Sequence, residues 1–344
     1  MTIEQLNKLS DELSFSLVSG IDQIKDLTTL DFPRSESAVF IKNKRFLDSL
    51  LDYLKKNSGT HSLLALIDED LWQGLDLSLQ EYISKTLLGV WTCRDISLGM
   101  CVLSNYFYHQ RLEQENNFVD GRQMGTTDIH PSCSIAQGVF IGERVKIGAF
   151  TTVYPGVRIL SDAVIGDHCV LYPGVSIYPR VVIKESCRIH ANTTIGSDGF
   201  GYHFHRGEHK KIWHFGGVEV GSNVEVGANS CIDGGTFSPT IIGDGTKIDN
   251  HVQVGHNCQI GQGVIICGHV AIGGSTKVGD FVVFGGKSGT GHDLKIASQS
   301  EIAGGALVNC DWNEPTRLGG HPARPLKEWM KGVAFVRKES LKKK

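Results

Sequence analysis

Aliphatic residues recur at every sixth position through most of the chain after residue 128. The first run is unbroken and consists of Ile129, Ile135, Ile141, Ile147, Val153, Ile159, Ile165, Leu171, Ile177, Ile183, Ile189 and Ile195. A short run of Val220, Val226 and Ile232 keeps the step, and a third continues from Ile242 to Val308, interrupted only at Thr290. Neither the 3.6-residue period of a helix nor the alternation of a flat strand sustains a six-residue step. The pattern therefore predicts a mainly β protein, a left-handed parallel β-helix of hexapeptide repeats whose aliphatic side chains point inward.

Glycine often follows the inward aliphatic residue, as at Gly148, Gly166 and Gly255. We expect glycine there because the corner between two sides of a coil needs a backbone that residues with a Cβ resist. Three hexapeptides form one coil, so residues 18 apart stack about 4.8 Å from one another. The repeat positions supply nine such coils.

Two stretches interrupt the repeat. SDGFGYHFHRGEHKKIWHFGG lies between Ile195 and Val220, and DGGTFSPTI lies between Ile232 and Ile242. Insertions in a solenoid leave it as loops, which commonly build the binding face. Surface decoration is the alternative, but the aromatic and basic content of the first loop favours function.

The repeat divides the chain into three parts. Residues 1–110 lack it and combine helical stretches (Ile3–Val18, Asp48–Lys56 and Leu79–Leu88) with short apolar runs, which predicts an N-terminal α/β domain with a linker helix. We expect residues 111–312 to form the β-helix. We expect residues 313–344 to form a C-terminal helical extension, with an amphipathic helix after Pro325. We expect oligomerisation to cover the apolar faces of the β-helix.

Composition excludes several function classes. The 34 Lys and Arg residues against 37 Asp and Glu give a net charge of -3, which argues against a nucleic-acid partner. No apolar run approaches the roughly 18 residues of an integral membrane segment, and the start of the chain does not resemble a signal peptide. Nine cysteines without a CxxC pair are typical of a reducing cytoplasm. Walker, HExxH and GxSxG motifs are absent from the sequence.

Histidines supply the candidate chemistry. His256 and His292 are two coils apart, and Gly274 lies midway between them. An imidazole beside a free backbone N–H suits acyl transfer, since one takes a proton and the other holds the oxyanion. Asp249 stands where glycine is usual and could orient the imidazole. The alternative is that His256 and His292 are simply solvent-exposed residues of their coils. His251 and His269 are 18 residues apart and form a second column, which suggests a metal site as a different possibility.

Several segments resemble one known family. DGFGY in the first insertion, IIGDGTKIDNHVQVGHN around His256, and SGTGH ending at His292 are similar to UDP-3-O-(3-hydroxyacyl)glucosamine N-acyltransferase of lipid A synthesis. SAVFIKNKRFLDSL resembles the uridine-binding segment of that family, and EPTRLGGHPARPLKEWMK extends the similarity downstream.

The resemblance implies roles for eight residues. His256 would be the general base, Asp249 its orienting carboxylate, His292 a second active-site histidine and Gly274 the oxyanion N–H donor. Asn250 belongs to the same motif. The uracil-binding positions correspond to Phe40, Asn43 and Phe46.

The resemblance also implies substrates and partners. Acyl carrier protein would deliver a 3-hydroxyacyl chain to the 2-amino group of a UDP-3-O-acylglucosamine, without a metal or other cofactor. The enzyme would be a cytoplasmic homotrimer, and its basic C-terminal helix would suit the acidic carrier protein.

Three positions depart from the family pattern. Phe46 replaces a common tyrosine, Gly234 stands where arginine usually follows the aspartate, and His292 has one residue more than usual before the next aliphatic. A paralogue acting on another UDP-amino sugar is therefore an alternative, and the sequence does not reveal the acyl length.

Other classes stay open beside this one. His251 and His256 have the HxxxxH spacing of a γ-carbonic anhydrase, which would need a third histidine from another subunit. A non-catalytic scaffold would not need Asp249, Asn250 and His256 together. A related O-acyltransferase generally lacks an N-terminal domain such as residues 1–110.

Overall fold

A computed structural model describes residues 1–8, 13–57, 59, 61–115, 127–320 and 325–342. Residues 116–126, near the predicted domain boundary, lie outside the described residues, as do 321–324 and 343–344 of the predicted C-terminal extension. The fold class is confirmed: the six-residue period forms a left-handed parallel β-helix.

The N-terminal part is a five-stranded sheet with helices. Its elements are α1 (Ile3–Asn7), β1 (Phe15–Gly20), β2 (Asp26–Leu27), β3 (Ser37–Ile41), α2 (Lys44–Lys56), β4 (His61–Asp68), α3 (Glu69–Gln73), α4 (Leu77–Thr86), β5 (Leu87–Cys93) and the long α5 (Ile96–Glu115). The strand order is β1-β5-β4-β3-β2, and only β1 pairs in the antiparallel direction.

The prediction of the first helix is mostly wrong. The expected helix Ile3–Val18 ends at Asn7, and Phe15–Gly20 is instead the edge strand β1, paired with β5. A local capping box at Thr2 starts the short helix. The strand depends on pairing with a segment 69 to 78 residues away, which a local pattern does not contain.

The β-helix consists of short strands in three parallel sheets of 10, 9 and 9 strands. The strands before the first insertion are β6 (Asp128–Ile129), β7 (Ser134–Ile135), β8 (Phe140–Ile141), β9 (Lys146–Ile147), β10 (Thr152–Val153), β11 (Arg158–Ile159), β12 (Val164–Ile165), β13 (Val170–Leu171), β14 (Ser176–Ile177), β15 (Val182–Ile183), β16 (Arg188–Ile189) and β17 (Thr194–Asp198). A hairpin of β18 (Tyr202–His205) and β19 (Glu208–Lys211) then projects from the first insertion.

The repeat resumes after the hairpin and continues to the C-terminal helix. Its strands are β20 (Val218–Val220), β21 (Glu225–Val226), β22 (Cys231–Gly234), β23 (Thr240–Ile242), β24 (Lys247–Ile248), β25 (Gln253–Val254), β26 (Gln259–Ile260), β27 (Ile265–Ile266), β28 (Ala271–Ile272), β29 (Lys277–Val278), β30 (Val283–Phe284), β31 (Gly289–Thr290), β32 (Lys295–Ile296), β33 (Glu301–Ile302), β34 (Leu307–Val308) and β35 (Arg317–Leu318). Helix α6 (Leu326–Ser340) follows. Thr290, which broke the pattern, is buried and its hydroxyl accepts the Gly273 N–H at 3.0 Å.

Glycine after the inward aliphatic residue has a different cause from the one we expected. The left-handed backbone lies two residues later, at His168 (φ 56°) or Asn257 (φ 60°), for example. A Cβ on Gly148 would lie 2.7 Å from the Asp167 nitrogen, and one on Gly255 would lie 2.6 Å from the Gly274 nitrogen. Glycine is therefore needed there because adjacent coils approach closely.

The N-terminal sheet packs directly on the two insertions. Phe40 of β3 contacts Phe237 of the second insertion, with ring centroids 5.6 Å apart, and Phe237 contacts Phe215 of the first at 5.3 Å. These rings share one apolar cluster with β4, β5 and α5. Ion pairs add to the contact: Asp31 with Lys277 at 2.8 Å, and Arg45 of α2 with Asp293.

Candidate active site

His256, Gly274 and His292 occupy successive coils at one corner of the β-helix. Each lies two residues beyond a strand of the same sheet, and the register pairs Val254 with Ile272 and Ala271 with Gly289. The structure thus brings three of the predicted site residues into one column. His256 is half-buried and His292 is exposed, so the column opens to solvent at its upper end.

The Gly274 amide is open at this corner. At comparable corners a carboxylate of the next coil accepts that N–H, as Asp167 does for Ala149 at 2.6 Å and Asp280 does for Gln262 at 2.9 Å. The next residue in this column is His292, and the Gly274 N–H has no acceptor among the described residues. An unpaired N–H beside a histidine is the donor that an oxyanion requires.

Gly274 also leaves space for the His256 ring. A Cβ at this position would lie 2.8 Å from His256 Nε2 and 3.0 Å from its Cε1. Nε2 is therefore the ring nitrogen that faces the coil above, next to the open amide.

Asn257 fixes the proton position on His256. The Thr236 N–H donates to Asn257 Oδ1 at 2.7 Å, which orients the Asn257 amide. Its Nδ2 then lies 2.9 Å from His256 Nδ1. Because an amide nitrogen only donates, Nδ1 accepts, and the neutral ring carries its proton on Nε2. In this arrangement Nε2–H is a hydrogen-bond donor.

A third histidine packs on His256 from the first insertion. The His214 and His256 ring centroids lie 5.0 Å apart in a T-shaped contact, and His214 is only 4% exposed. Neither ring nitrogen of His214 has a hydrogen-bond partner among the described residues. Burial, then the charges of His256 and Lys211, lower the pKa of His214 from 6.5 to about 3. His214 is therefore a neutral wall of the site at physiological pH.

The glycines of DGFGY allow this loop to close on the histidines. A Cβ on Gly199 would lie 2.4 Å from the His256 Cβ and 2.8 Å from His214 Nε2. A Cβ on Gly201 would lie 2.8 Å from His214 Cε1. Close packing therefore requires glycine at both positions, Gly199 beside His256 and His214 and Gly201 beside His214.

The site keeps His256 neutral near pH 7. Burial and then the neighbouring His292 lower its pKa. The imidazolium is disfavoured because it would lose water and face a second positive charge.

Asp249 and Asn250 lie at a different corner of the same coil. They follow β24, whereas His256 follows β25 of the adjacent sheet. Both are exposed, and Asp249 Oδ1 accepts hydrogen bonds from the Asn250 N–H at 2.8 Å and Nδ2 at 3.1 Å. Within one chain, the hydrogen bond to His256 Nδ1 comes from Asn257 instead.

Gly234 lies one coil below His256, because Ile232 pairs with Val254. A Cβ there would lie 3.0 Å from the Gly196 carbonyl oxygen, so an arginine would require the neighbouring strand to shift. The adjacent Asp233 is partly buried, and burial raises the pKa of its carboxyl to about 6.

The proposed uracil-binding residues lie at the end of β3 and the start of α2. Asn43 caps α2, and its Oδ1 accepts the Phe46 N–H at 3.3 Å. Phe40 is 9% exposed and packs on the face of the sheet that meets the β-helix, whereas Phe46 packs against the opposite cluster. In this conformation the two rings are not placed face to face around a base.

Sequence reasoning missed Asn257 and His214. Asn257 follows His256 directly in the GHN motif, so the motif itself could have identified it as a site residue. His214 comes from an insertion 42 residues earlier in the chain, and the six-residue register does not extend into it. His251 and His269, the residues of the alternative metal site, have ring centroids 4.9 Å apart and are stacked. They lie at a corner other than that of His256.

Comparisons with known proteins agree with the repeat and the motifs. The family model "Bacterial transferase hexapeptide (six repeats)" matches residues 138–171, 162–197 and 239–274. The UDP-3-O-acylglucosamine N-acyltransferase of Helicobacter hepaticus is 42% identical over 205 residues, which is 59% of this chain and 63% of that protein. The protein of that name from Herminiimonas arsenicoxydans is 37% identical over 199 residues, 58% of this chain and 52% of that protein.

Among solved structures, the UDP-N-acetylglucosamine acyltransferase of Francisella novicida matches 60% of this chain and 71% of that chain. The sequence identity is 25% and the TM-score 0.45. The alignments with the two sequence relatives span 63% and 52% of their length, less than two thirds in each case.

Proposed function

We propose that this chain is a UDP-3-O-acylglucosamine N-acyltransferase, which transfers a 3-hydroxyacyl chain from acyl carrier protein to the 2-amino group of UDP-3-O-(3-hydroxyacyl)glucosamine. The observation that carries the proposal is the open Gly274 N–H between His256 and His292 in one column. Both similar proteins bear the name of this activity.

The reaction needs an oxyanion donor and a proton acceptor. The amine attacks the thioester carbonyl, the carbonyl oxygen becomes negative, and the thiolate leaves after the nitrogen has lost a proton. The Gly274 N–H suits the oxyanion, since a preorganised donor costs no reorganisation. The neutral His256 suits the proton acceptor.

His256 must change its tautomer for that second role. With Asn257 donating to Nδ1, the neutral ring holds its proton on Nε2. To accept a proton at Nε2, the ring must carry its first proton on Nδ1 and give up the Asn257 contact. We assign the observed arrangement to the resting enzyme, in which Nε2–H is a second donor at the corner of Gly274.

A homotrimer would complete the role of Asp249. Asp249 and His256 occupy different corners of the β-helix in one chain. In a trimer, the Asp249 carboxylate of one subunit could meet the His256 imidazole of the next where the corners of two β-helices pack together. A carboxylate there would accept Nδ1–H and produce the base tautomer. This role of Asp249, together with the neighbouring Asn250, is part of the proposal.

The remaining parts of the chain would bind the two substrates. Residues 1–110 would bind uridine through Phe40, Asn43 and Phe46. The link to the chemistry is short, because Phe40 contacts Phe237, whose neighbour Thr236 holds Asn257. Residues 111–312 would carry the catalytic column.

Residues 313–344 would dock acyl carrier protein through helix α6. Its exposed residues combine the bases Lys331, Arg337 and Lys338 with the apolar Val333 and Phe335. Basic side chains would steer the acidic carrier protein to this surface. We place the enzyme in the cytoplasm, where acyl carrier protein and UDP-sugars occur. In the described residues, no helix is both long and apolar enough to cross a bilayer.

One assay tests the proposal. Purified protein is mixed with UDP-3-O-(3-hydroxyacyl)glucosamine and 3-hydroxyacyl carrier proteins of several chain lengths, and the diacyl product is detected by mass spectrometry. We expect product, and His256→Ala should lower turnover by roughly 10² or more. His251→Ala is the matched control, since it is an exposed histidine on the same coil.

Each other outcome has a defined meaning. Transfer to a different UDP-amino sugar alone would identify a paralogue with a changed substrate. Near-wild-type activity of His256→Ala would refute the assignment of the base. No transfer with any donor or acceptor would refute the proposed activity.

A further inference from the structure

The first insertion brings two histidines to a carboxylate of the N-terminal part, away from the catalytic column. We infer that Asp95, His203 and His205 bind one Zn²⁺ ion, which fastens the β18–β19 hairpin to the start of α5. Their ligand atoms all lie within 4.8 Å of one another, and they form the one group of three potential ligands found in the described residues.

The geometry converges on one oxygen atom. His203 Nε2 lies 3.1 Å from Asp95 Oδ2, and His205 Nδ1 lies 3.9 Å from the same oxygen. Ligand atoms about 2.0–2.2 Å from a tetrahedral zinc are roughly 3.3–3.6 Å from each other. Small movements, of His203 away from Asp95 and of His205 towards it, therefore bring both pairs into this range.

Both histidines approach the same carboxylate oxygen. His203 and Asp95 are within hydrogen-bond distance, but His205 points a ring nitrogen at the same carboxylate oxygen from beyond that range. Two imidazoles that converge on one carboxylate oxygen would repel each other if both were protonated. A shared cation removes that repulsion, because both rings then bind as neutral ligands.

The local structure already positions the ligands. His203 and His205 are alternate residues of β18, so they point to the same face of the hairpin. Asp95 Oδ1 accepts the Leu98 N–H at 2.9 Å at the start of α5, which leaves Oδ2 directed at the histidines. Such a second hydrogen bond is typical of a carboxylate that binds metal.

The donor set favours zinc. Two imidazole nitrogens and one carboxylate oxygen are ordinary Zn²⁺ ligands, with a fourth position for water. The side chains of His203, His205 and Asp95 are 25%, 20% and 37% exposed, so an ion can enter without unfolding the hairpin.

The ion would have a structural role. The hairpin follows directly on the DGFGY segment, whose Gly199 and Gly201 pack on His256 and His214. Holding the hairpin against α5 would therefore keep this segment closed over the site. The inference concerns binding and does not depend on the proposed acyl transfer.

The test measures metal content and does not use activity. Full-length protein is stripped with EDTA and titrated with ZnCl₂ by calorimetry near pH 7, and Co²⁺ is bound in parallel to record its absorption spectrum. We expect one Zn²⁺ per chain and the intense visible bands of tetrahedral Co²⁺. The double variant His203→Gln/His205→Gln should weaken Zn²⁺ binding at least about 100-fold.

Two controls locate the ion. His209→Gln changes an exposed histidine of the same hairpin and should bind Zn²⁺ like the wild type. His251→Gln/His269→Gln removes the stacked pair on the β-helix and should also leave binding unchanged. Circular dichroism of each variant shows that the fold is kept.

Three results would overturn the inference. They are the absence of Zn²⁺ binding by the wild type, unchanged binding by His203→Gln/His205→Gln, and loss of the ion in the His251→Gln/His269→Gln variant.

Discussion

The buried His214 should make the folded protein sensitive to mild acid. Its ring is 4% exposed, both ring nitrogens lack a partner among the described residues, and its pKa is lowered from 6.5 to about 3. The unfolded chain binds a proton on this histidine below about pH 6.5, whereas the folded chain does not until about pH 3. The stability that the neutral ring retains near pH 7 is therefore lost as the pH falls through that window.

The magnitude follows from the two pKa values. Each pH unit within the window costs about 1.4 kcal/mol of unfolding free energy. Between pH 7 and pH 5 the contribution of His214 falls by about 2 kcal/mol, an order-of-magnitude value. His256, whose pKa is also lowered, acts in the same direction, and Asp233, whose pKa is raised to about 6, acts in the opposite one.

A variant isolates the effect of His214. His214→Phe keeps a ring of similar size and removes the titrating group together with two unpaired polar atoms. We expect the wild type to lose about 2 kcal/mol more than the variant between pH 7 and pH 5. The measurement is urea unfolding followed by tryptophan fluorescence, at one fixed protein concentration because an oligomer's stability depends on it.

The control and the refutation are equally direct. His209→Phe removes an exposed histidine of the neighbouring hairpin and should leave the pH dependence unchanged. Equal losses in wild type and His214→Phe would mean that folded His214 accepts a proton at pH 5, and the assignment of a neutral wall would be wrong.

Two further substitutions test the catalytic column. In the Asn257→Asp variant, the new carboxylate should accept Nδ1–H from His256 and raise the pKa of His256. The acidic limb of the pH profile of kcat/KM then shifts to higher pH by about one unit. An unshifted limb would contradict the role of Asn257 in setting the tautomer. Gly274→Ala places a Cβ 2.8 Å from His256 Nε2, so we expect kcat to fall at least about tenfold. Gly286→Ala, whose Cβ would meet its nearest neighbour at 3.5 Å, should keep kcat near the wild-type value, and equal effects would refute the steric argument.

The β-helix and the stacking of His256, Gly274 and His292 in one column could be predicted from the sequence because both depend on one period. Residues 18 apart must stack once the coil is known, so the order His256, Gly274, His292 followed from counting. The period did not reveal why glycine follows the inward aliphatic residue. Close approach between coils is a contact between residues 18–23 apart, and a single hexapeptide does not reveal it.

The six-residue period could not predict contacts made by residues outside the repeat. His214 reaches His256 through an insertion, and Phe40 reaches Phe237 from another part of the chain. Asp95 and His203 are 108 residues apart, so the metal ligands come together only through the packing of α5 on the hairpin. The strand β1 was missed for the same reason, since its pairing with β5 is long-range.

The three histidines around Gly274 differ in exposure, and this difference determines which of them can take part in proton transfer. His214 is buried and stays neutral down to about pH 3. His292 is exposed at the top of the column, and a positive charge on it lowers the pKa of His256. His256 lies between them, half-buried and neutral near pH 7. In the proposed reaction, this gradient of exposure leaves His256 as the imidazole that accepts a proton from the substrate amine once its tautomer has changed, and Gly199 and Gly201 allow His214 to pack closely beside its ring.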